Sequence, residues 1–228
     1  MELIIIIVAT IAIIIVNSMM KMKVKQLEKI ALDSELNEIT KTYPKNIDIC
    51  KEILKKLGNR TTQIEEDLNS DTTLYIAIQD KISIGNTHES FTRIQTMAHE
   101  CLHSVQDRKM LLFNFIFSNI YILYFFVICV LVIIKKLPNE IMFSNILLIL
   151  SFIYYVIRIF LENDAMIKAE FVAKQYIEEK KISSQEDVKQ ISEGFRRLNE
   201  GCIKETNCSL FVKIMIKVVI FNVLALIF

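Results

Sequence analysis

The feature that most constrains this chain is a run of 24 residues, Leu111 to Ile134, without one charged side chain. About 20 apolar residues in a helix cross the hydrocarbon core of a bilayer. A second run, Ile141 to Leu161, carries only Arg158. Six residues separate the two, Lys135 to Glu140, with Pro138 among them. A polar turn that short folds the spans into an antiparallel hairpin, because backbone inside lipid must satisfy its own hydrogen bonds. Two further apolar segments flank this centre. Leu3 to Val16 is broken only by Thr10 and reads as a retained N-terminal anchor, residues 1–20. It has no basic stretch ahead of it and no small-residue cleavage site, the marks of a removed signal peptide. Residues 209–228 form the C-terminal membrane segment. Lys213 and Lys217 share one helix face there, so the segment either spans with both lysines snorkelling or lies in the interface as an amphipathic helix.

With 53% hydrophobic residues in 228, the chain is too apolar for an ordinary soluble domain. The expected fold class is a mainly α-helical integral membrane protein with about four transmembrane segments. The water-facing parts are residues 21–110 and 162–208, on either side of the hairpin at 111–161. Lys21, Lys23, Lys25, Arg108, Lys109, Lys168 and Lys174 gather on one side, against Lys135 and Lys136 on the other. By the positive-inside rule both water-facing parts are cytoplasmic. The net charge of +1 offers no field that would draw nucleic acid. The five cysteines form no C-x-x-C pair, and Cys129 lies inside a span. They read as reduced thiols that pack as small hydrophobes.

In residues 21–110 the apolar spacing predicts a helix over Gln26 to Lys41 and another over Ile47 to Leu57, with Asn46 as cap and Gly58 as stop. Thr73 to Gln79 and Lys81 to Ile84 are β-favouring. A helix from about Ser90 to Asp107 follows. Beyond the hairpin a helix runs from Glu162 to about Glu179. Another starts at Ser184, with Asp187 completing a capping box, and ends at Gly201.

The chemistry sits in His99-Glu100-Cys101-Leu102-His103. Residues four apart on a helix stand one above the other, so both imidazoles can bind one Zn²⁺ from one face. Glu100 then stands beside the metal, placed to take a proton from the activated water and hand it to a leaving amine. Only one other histidine exists, His88, upstream in a loop where an oxyanion-stabilising role competes with that of an ordinary exposed residue. The third ligand is therefore expected to be a carboxylate. The hairpin returns the chain to the membrane face it left, which brings Glu162 near His99 and His103. Glu170 is the alternative ligand. Asp164 is expected to accept an N–H from a ligating imidazole, and Gln106, three residues past His103, to reach the same face.

The stretch His99 to Gln106, H-E-C-L-H-S-V-Q, resembles the H-E-x-x-H-A-x-Q motif of the neutral zinc metallopeptidases of bacterial membranes, the YugP-like group. Glu162-Asn163-Asp164-Ala165 stands where that group carries Glu-Phe-x-Ala after a membrane hairpin, and Glu170-Phe171-Val172-Ala173 is a second near-match. The order of parts is similar across most of the chain. Ser104 replaces the usual Ala, Asn163 the usual aromatic, and Cys101-Leu102 lacks a small residue before the second histidine. The resemblance implies a zincin-like α+β water-facing part, Zn²⁺ as cofactor, and a peptide or protein substrate near the membrane, paired with Leu74 to Gln79 or Lys81 to Ile84. The competing reading is a non-catalytic zinc-binding or scaffold membrane protein.

Overall fold

The computed structural model describes residues 2–86 and 90–228. His88 lies outside the described residues. The chain order is α1 (Glu2–Ala31), α2 (Ser34–Thr40), α3 (Asn46–Lys56), β1 (Gln63–Asp67), β2 (Leu74–Ile76), β3 (Lys81–Gly85), α4 (Arg93–His103), α5 (Arg108–Ile133), α6 (Glu140–Lys180) and α7 (Gln185–Ile227). Four helices are long and apolar enough to cross a membrane: α1 from Ile7, α5, α6 and α7. The chain has the make-up of a multi-pass membrane protein.

It divides into two units. The first collects residues 1–24, 113–160 and 204–228. Its interior holds Tyr121, Ile128, Leu147 and Phe221, all nearly or fully buried. Polar groups inside it find partners: the Ser151 hydroxyl donates to Tyr121 Oη at 2.9 Å, and Ser144 donates to Asn222 at 3.1 Å. Lys217 meets an aromatic ring within this unit. Its Nζ lies 4.8 Å from the centroid of the Tyr121 ring, where the negative ring face holds the ammonium.

The second unit collects residues 25–112 and 161–203. Here α3, α4, α6 and α7 surround a core that includes Ile49, Ile53, Phe91, Ile94, Met97, Tyr176, Ile191 and Phe195. Ile82 and Ile84 of β3 join it. The sheet order is β1-β3-β2, with β1 parallel and β2 antiparallel to β3. Because β3 is central and paired on both sides, it has no edge for a further strand. That removes Lys81 to Ile84 as a place for an added peptide and leaves the outer edge of β2. Strand β1 escapes a sequence reading because Gln-Ile-Glu-Glu-Asp shows no apolar alternation. It is held by its pairing and by the Lys81–Glu65 ion pair at 2.7 Å.

Helix boundaries differ from expectation in instructive ways. The helix anticipated over 26–41 is broken at Asp33, whose carboxylate caps α2 by accepting from the Glu35 and Leu36 N–H groups. Asn46 is the first residue of α3 and makes no cap; its carbonyl oxygen instead accepts from Arg93 at 3.0 Å. Gly58 does end α3. Its φ of +75° lets the Asn59 N–H reach Leu54 O and the Gly58 N–H reach Lys55 O, the paired bonds of a Schellman stop. Gly201 ends nothing, for α7 runs straight through it. A Cβ at Gly201 would collide with Leu27 Cδ2, so the glycine serves close packing. The Ser184–Asp187 capping box forms as expected, with both bonds at 3.1 Å.

Candidate metal centre

The motif helix α4 is set in place at both ends. At its start the buried Arg93 guanidinium donates to Thr40 O, Tyr43 O, Pro44 O and Asn46 Oδ1 at 2.6–3.0 Å. At its close the Ser104 hydroxyl donates to Cys101 O at 2.7 Å, and Asn59 Nδ2 donates to Ser104 Oγ at 3.0 Å. Ser104 thus ties the end of α4 to the loop after α3. Midway, Cys101 packs against Cys50 with the sulfurs 3.5 Å apart, both fully buried. No disulfide joins any of the five cysteines.

His99 and His103 leave the same face of α4, with Nε2 atoms 3.0 Å apart. Glu162, from α6, places Oε2 3.5 Å from His99 Nε2 and 3.7 Å from His103 Nε2. Among the described residues these three form the one group of His, Cys, Asp or Glu side chains that could hold a metal ion. A tetrahedral zinc about 2.1 Å from each ligand would hold them roughly 3.4 Å apart. The observed separations bracket that value, so the donor set fits the ion in number, type and spacing. Glu170 is two turns further along α6 and accepts from Asn199 Nδ2 at 3.1 Å, outside the cluster.

The hydrogen bonds behind the cluster settle which nitrogen of His103 faces it. Gln106 Nε2 donates to Leu161 O at 2.8 Å and to Asp164 Oδ2 at 3.1 Å. Both partners are acceptors only, so the amide nitrogen is oriented toward them and Oε1 is left for His103 Nδ1, 2.8 Å away. That nitrogen must carry the proton, which leaves Nε2 as a lone pair directed at the cluster. Sequence reasoning put Asp164 directly on an imidazole. The structure interposes Gln106, and Asp164 instead orients the glutamine while pairing with Lys168 at 2.6 Å.

Two imidazole lone pairs and a carboxylate oxygen converging on one point repel unless a cation or proton stands among them. The His103 environment expresses this. Burial acts to lower its pKa, but the bond to Glu162 and the charges of Glu100 and Glu162 outweigh it, and the pKa is raised. A field that favours a proton there also favours a metal ion.

Glu100 is buried and points from α4 toward the sheet. Its Oε2 accepts the Tyr75 N–H of β2 at 2.7 Å. Burial lifts its pKa above the usual carboxylate value, against the opposing pull of His99, His103 and that N–H. Nothing in the sequence pointed to Tyr75, since the contact is made by backbone. The Tyr75 hydroxyl donates to Asp80 Oδ1 at 3.1 Å, and burial and that carboxylate push its pKa up to about 12.

Comparison with protein-family models, with curated proteins and with solved structures finds no match to this chain.

Proposed function

We propose that this protein is a membrane-bound zinc metallopeptidase of the YugP-like kind, with a zincin-like catalytic part. The observation that carries the reading is the convergence of His99, His103 and Glu162 on one point, with Glu100 beside it and Gln106 fixing the His103 tautomer. Metal storage alone would need the three ligands but not a buried carboxylate, raised in pKa, next to them.

A zinc ion held by His99, His103 and Glu162 would supply Lewis acidity, polarising the scissile carbonyl and lowering the pKa of water to about 7. The residues of the chain do the rest. Glu100 takes a proton from the attacking water as the water oxygen bonds to the carbonyl carbon. It passes that proton to the amide nitrogen as the C–N bond breaks, giving a carboxylate and an amine. Burial raises its pKa, and the Tyr75 N–H fixes which way its carboxylate faces. Gln106 and Asp164 hold His103 against rotation. The outer edge of β2 runs beside this carboxylate, which suits an extended peptide lying along it. The Lys/Arg asymmetry supports a site on the cytoplasmic side of the cell membrane, with membrane-proximal peptide segments as substrates.

The test is the zinc content of detergent-purified protein, beside His103→Ala and Glu162→Ala. One zinc per chain is expected, lost in both variants. Glu100→Gln should keep its zinc and lose peptide hydrolysis by about 10²–10⁴-fold. Absence of zinc in the wild-type protein after supplementation would sink the reading. Zinc bound with no hydrolysis of any peptide library, by wild type and Glu100→Gln alike, would leave a metal-binding membrane protein.

A further inference from the structure

The metal centre has a neighbour. One turn before His99 on α4 and one turn after Glu162 on α6 lies a notch of about 160 Å³, walled by Thr96, His99, Met166, Ala169, Leu198 and Cys202. The walls come from three helices of the second unit, and His99 is common to the notch and the metal centre. The lining is carbon and sulfur with few polar atoms to spare. Asn199, also at its margin, has its amide nitrogen committed to Glu170. No Lys, Arg, Asp or Glu lines it, so a charged occupant would enter unpaired. A volume of that size admits one branched or linear side chain of about four heavy atoms. That matches a leucine or methionine side chain and is far short of a lipid acyl chain.

We infer that this notch is the specificity pocket of the site, taking an aliphatic side chain from the residue that flanks the scissile bond, with Cys202 on its rim. The inference rests on the metallopeptidase reading, because continuity with His99 ties the occupant to a peptide whose carbonyl lies at the metal centre. An apolar side chain about one helical turn from the metal is within reach of a single residue. Each carbon removed from that side chain costs about fourfold in rate, the worth of one buried methylene. Leucine over alanine at the position therefore amounts to roughly 50-fold.

The experiment uses the full-length, zinc-loaded protein in detergent. Alkylation of Cys202 by N-ethylmaleimide is followed by peptide mass spectrometry, with Cys208 as the internal reference. It is run without ligand, with acetohydroxamate and with leucine hydroxamate, two metal-directed probes that differ in the side chain. Leucine hydroxamate should slow Cys202 at least fivefold, acetohydroxamate should not, and Cys208 should react alike throughout. In parallel, the leucine-over-alanine preference in peptide cleavage should fall from roughly 50-fold to below threefold in Cys202→Phe, which fills the notch from its rim. Equal protection by the two hydroxamates, or none from either while zinc is bound, would overturn the pocket and leave the metal centre standing. A protein that binds no zinc would overturn both readings together, and the zinc assay separates that failure from the first.

Discussion

Replacing Gln106 by leucine is the sharpest test of how the metal centre is built. Leucine is close to glutamine in volume but makes none of its bonds: to His103 Nδ1 at 2.8 Å, to Leu161 O at 2.8 Å and to Asp164 at 3.1 Å. None of the three ligands is touched. What goes is the acceptor that holds the His103 proton on Nδ1 and keeps Nε2 aimed at Glu162 and His99. Loss of such an outer partner weakens metal binding about 10–100-fold, equivalent to about 1.4–2.7 kcal/mol. The zinc-free protein should lose stability as well, on the order of 1 kcal/mol for each of the three half-buried bonds removed. The assay is zinc competition against a chromophoric chelator, with chemical denaturation of the metal-free protein in parallel. Asp164→Asn, one bond further from the metal, should shift zinc affinity by less than Gln106→Leu. An unchanged zinc affinity in Gln106→Leu would refute the argument, since His103 would then need no partner on Nδ1 to bind through Nε2.

Three further outcomes follow from other parts of the structure. Glu170→Ala should retain one zinc per chain, since this carboxylate bonds Asn199 and stands apart from the cluster; zinc analysis beside Glu162→Ala decides it. Arg93→Leu strips the buried Thr40 and Tyr43 carbonyls, the part-buried Pro44 carbonyl and Asn46 of this donor, and denaturation should show a loss of about 3 kcal/mol, in the range of broken buried charge-assisted bonds. Asp80 accepts from Thr62, Thr61 and Tyr75 hydroxyls at 2.6–3.1 Å. Burial raises its pKa, but these bonds outweigh burial and the net shift is downward from 3.8. A carboxylate lowered on folding adds stability that is present above its unfolded pKa and lost as pH falls through the folded one. Asp80→Asn should therefore flatten the fall in stability below about pH 4 while lowering stability at pH 7, as read by denaturation across pH.

Much of this protein is legible in one dimension because its strongest signals are local. Long, mostly apolar runs mark the four long helices, since a bilayer leaves the backbone no other partner than itself. The spacing of His99 and His103 is enough to put two imidazoles on one face, as α4 confirms. Even the approach of Glu162 could be anticipated, because a short hairpin returns the chain to where it started. Local signals also misled. Gly201 looks like a helix stop, yet α7 continues, because a glycine costs a helix only about 1 kcal/mol and packing against Leu27 decides its place. Gln26 to Lys41 looks like one helix, yet Asp33 caps a new one.

What only the tertiary structure decided are contacts whose partners are far apart in sequence and carry no pattern of their own. Gln106 reaches the carbonyl of Leu161, and Tyr75 lends Glu100 a backbone N–H. Polar β1 finds a place beside β3 that its composition does not announce. Residues of α4, α6 and α7 enclose a notch next to His99. Periodicity records which face of an element is apolar. Which atom of which neighbour meets that face is set by the packing of the whole unit, and the direction in which His103 Nε2 points depends on that packing.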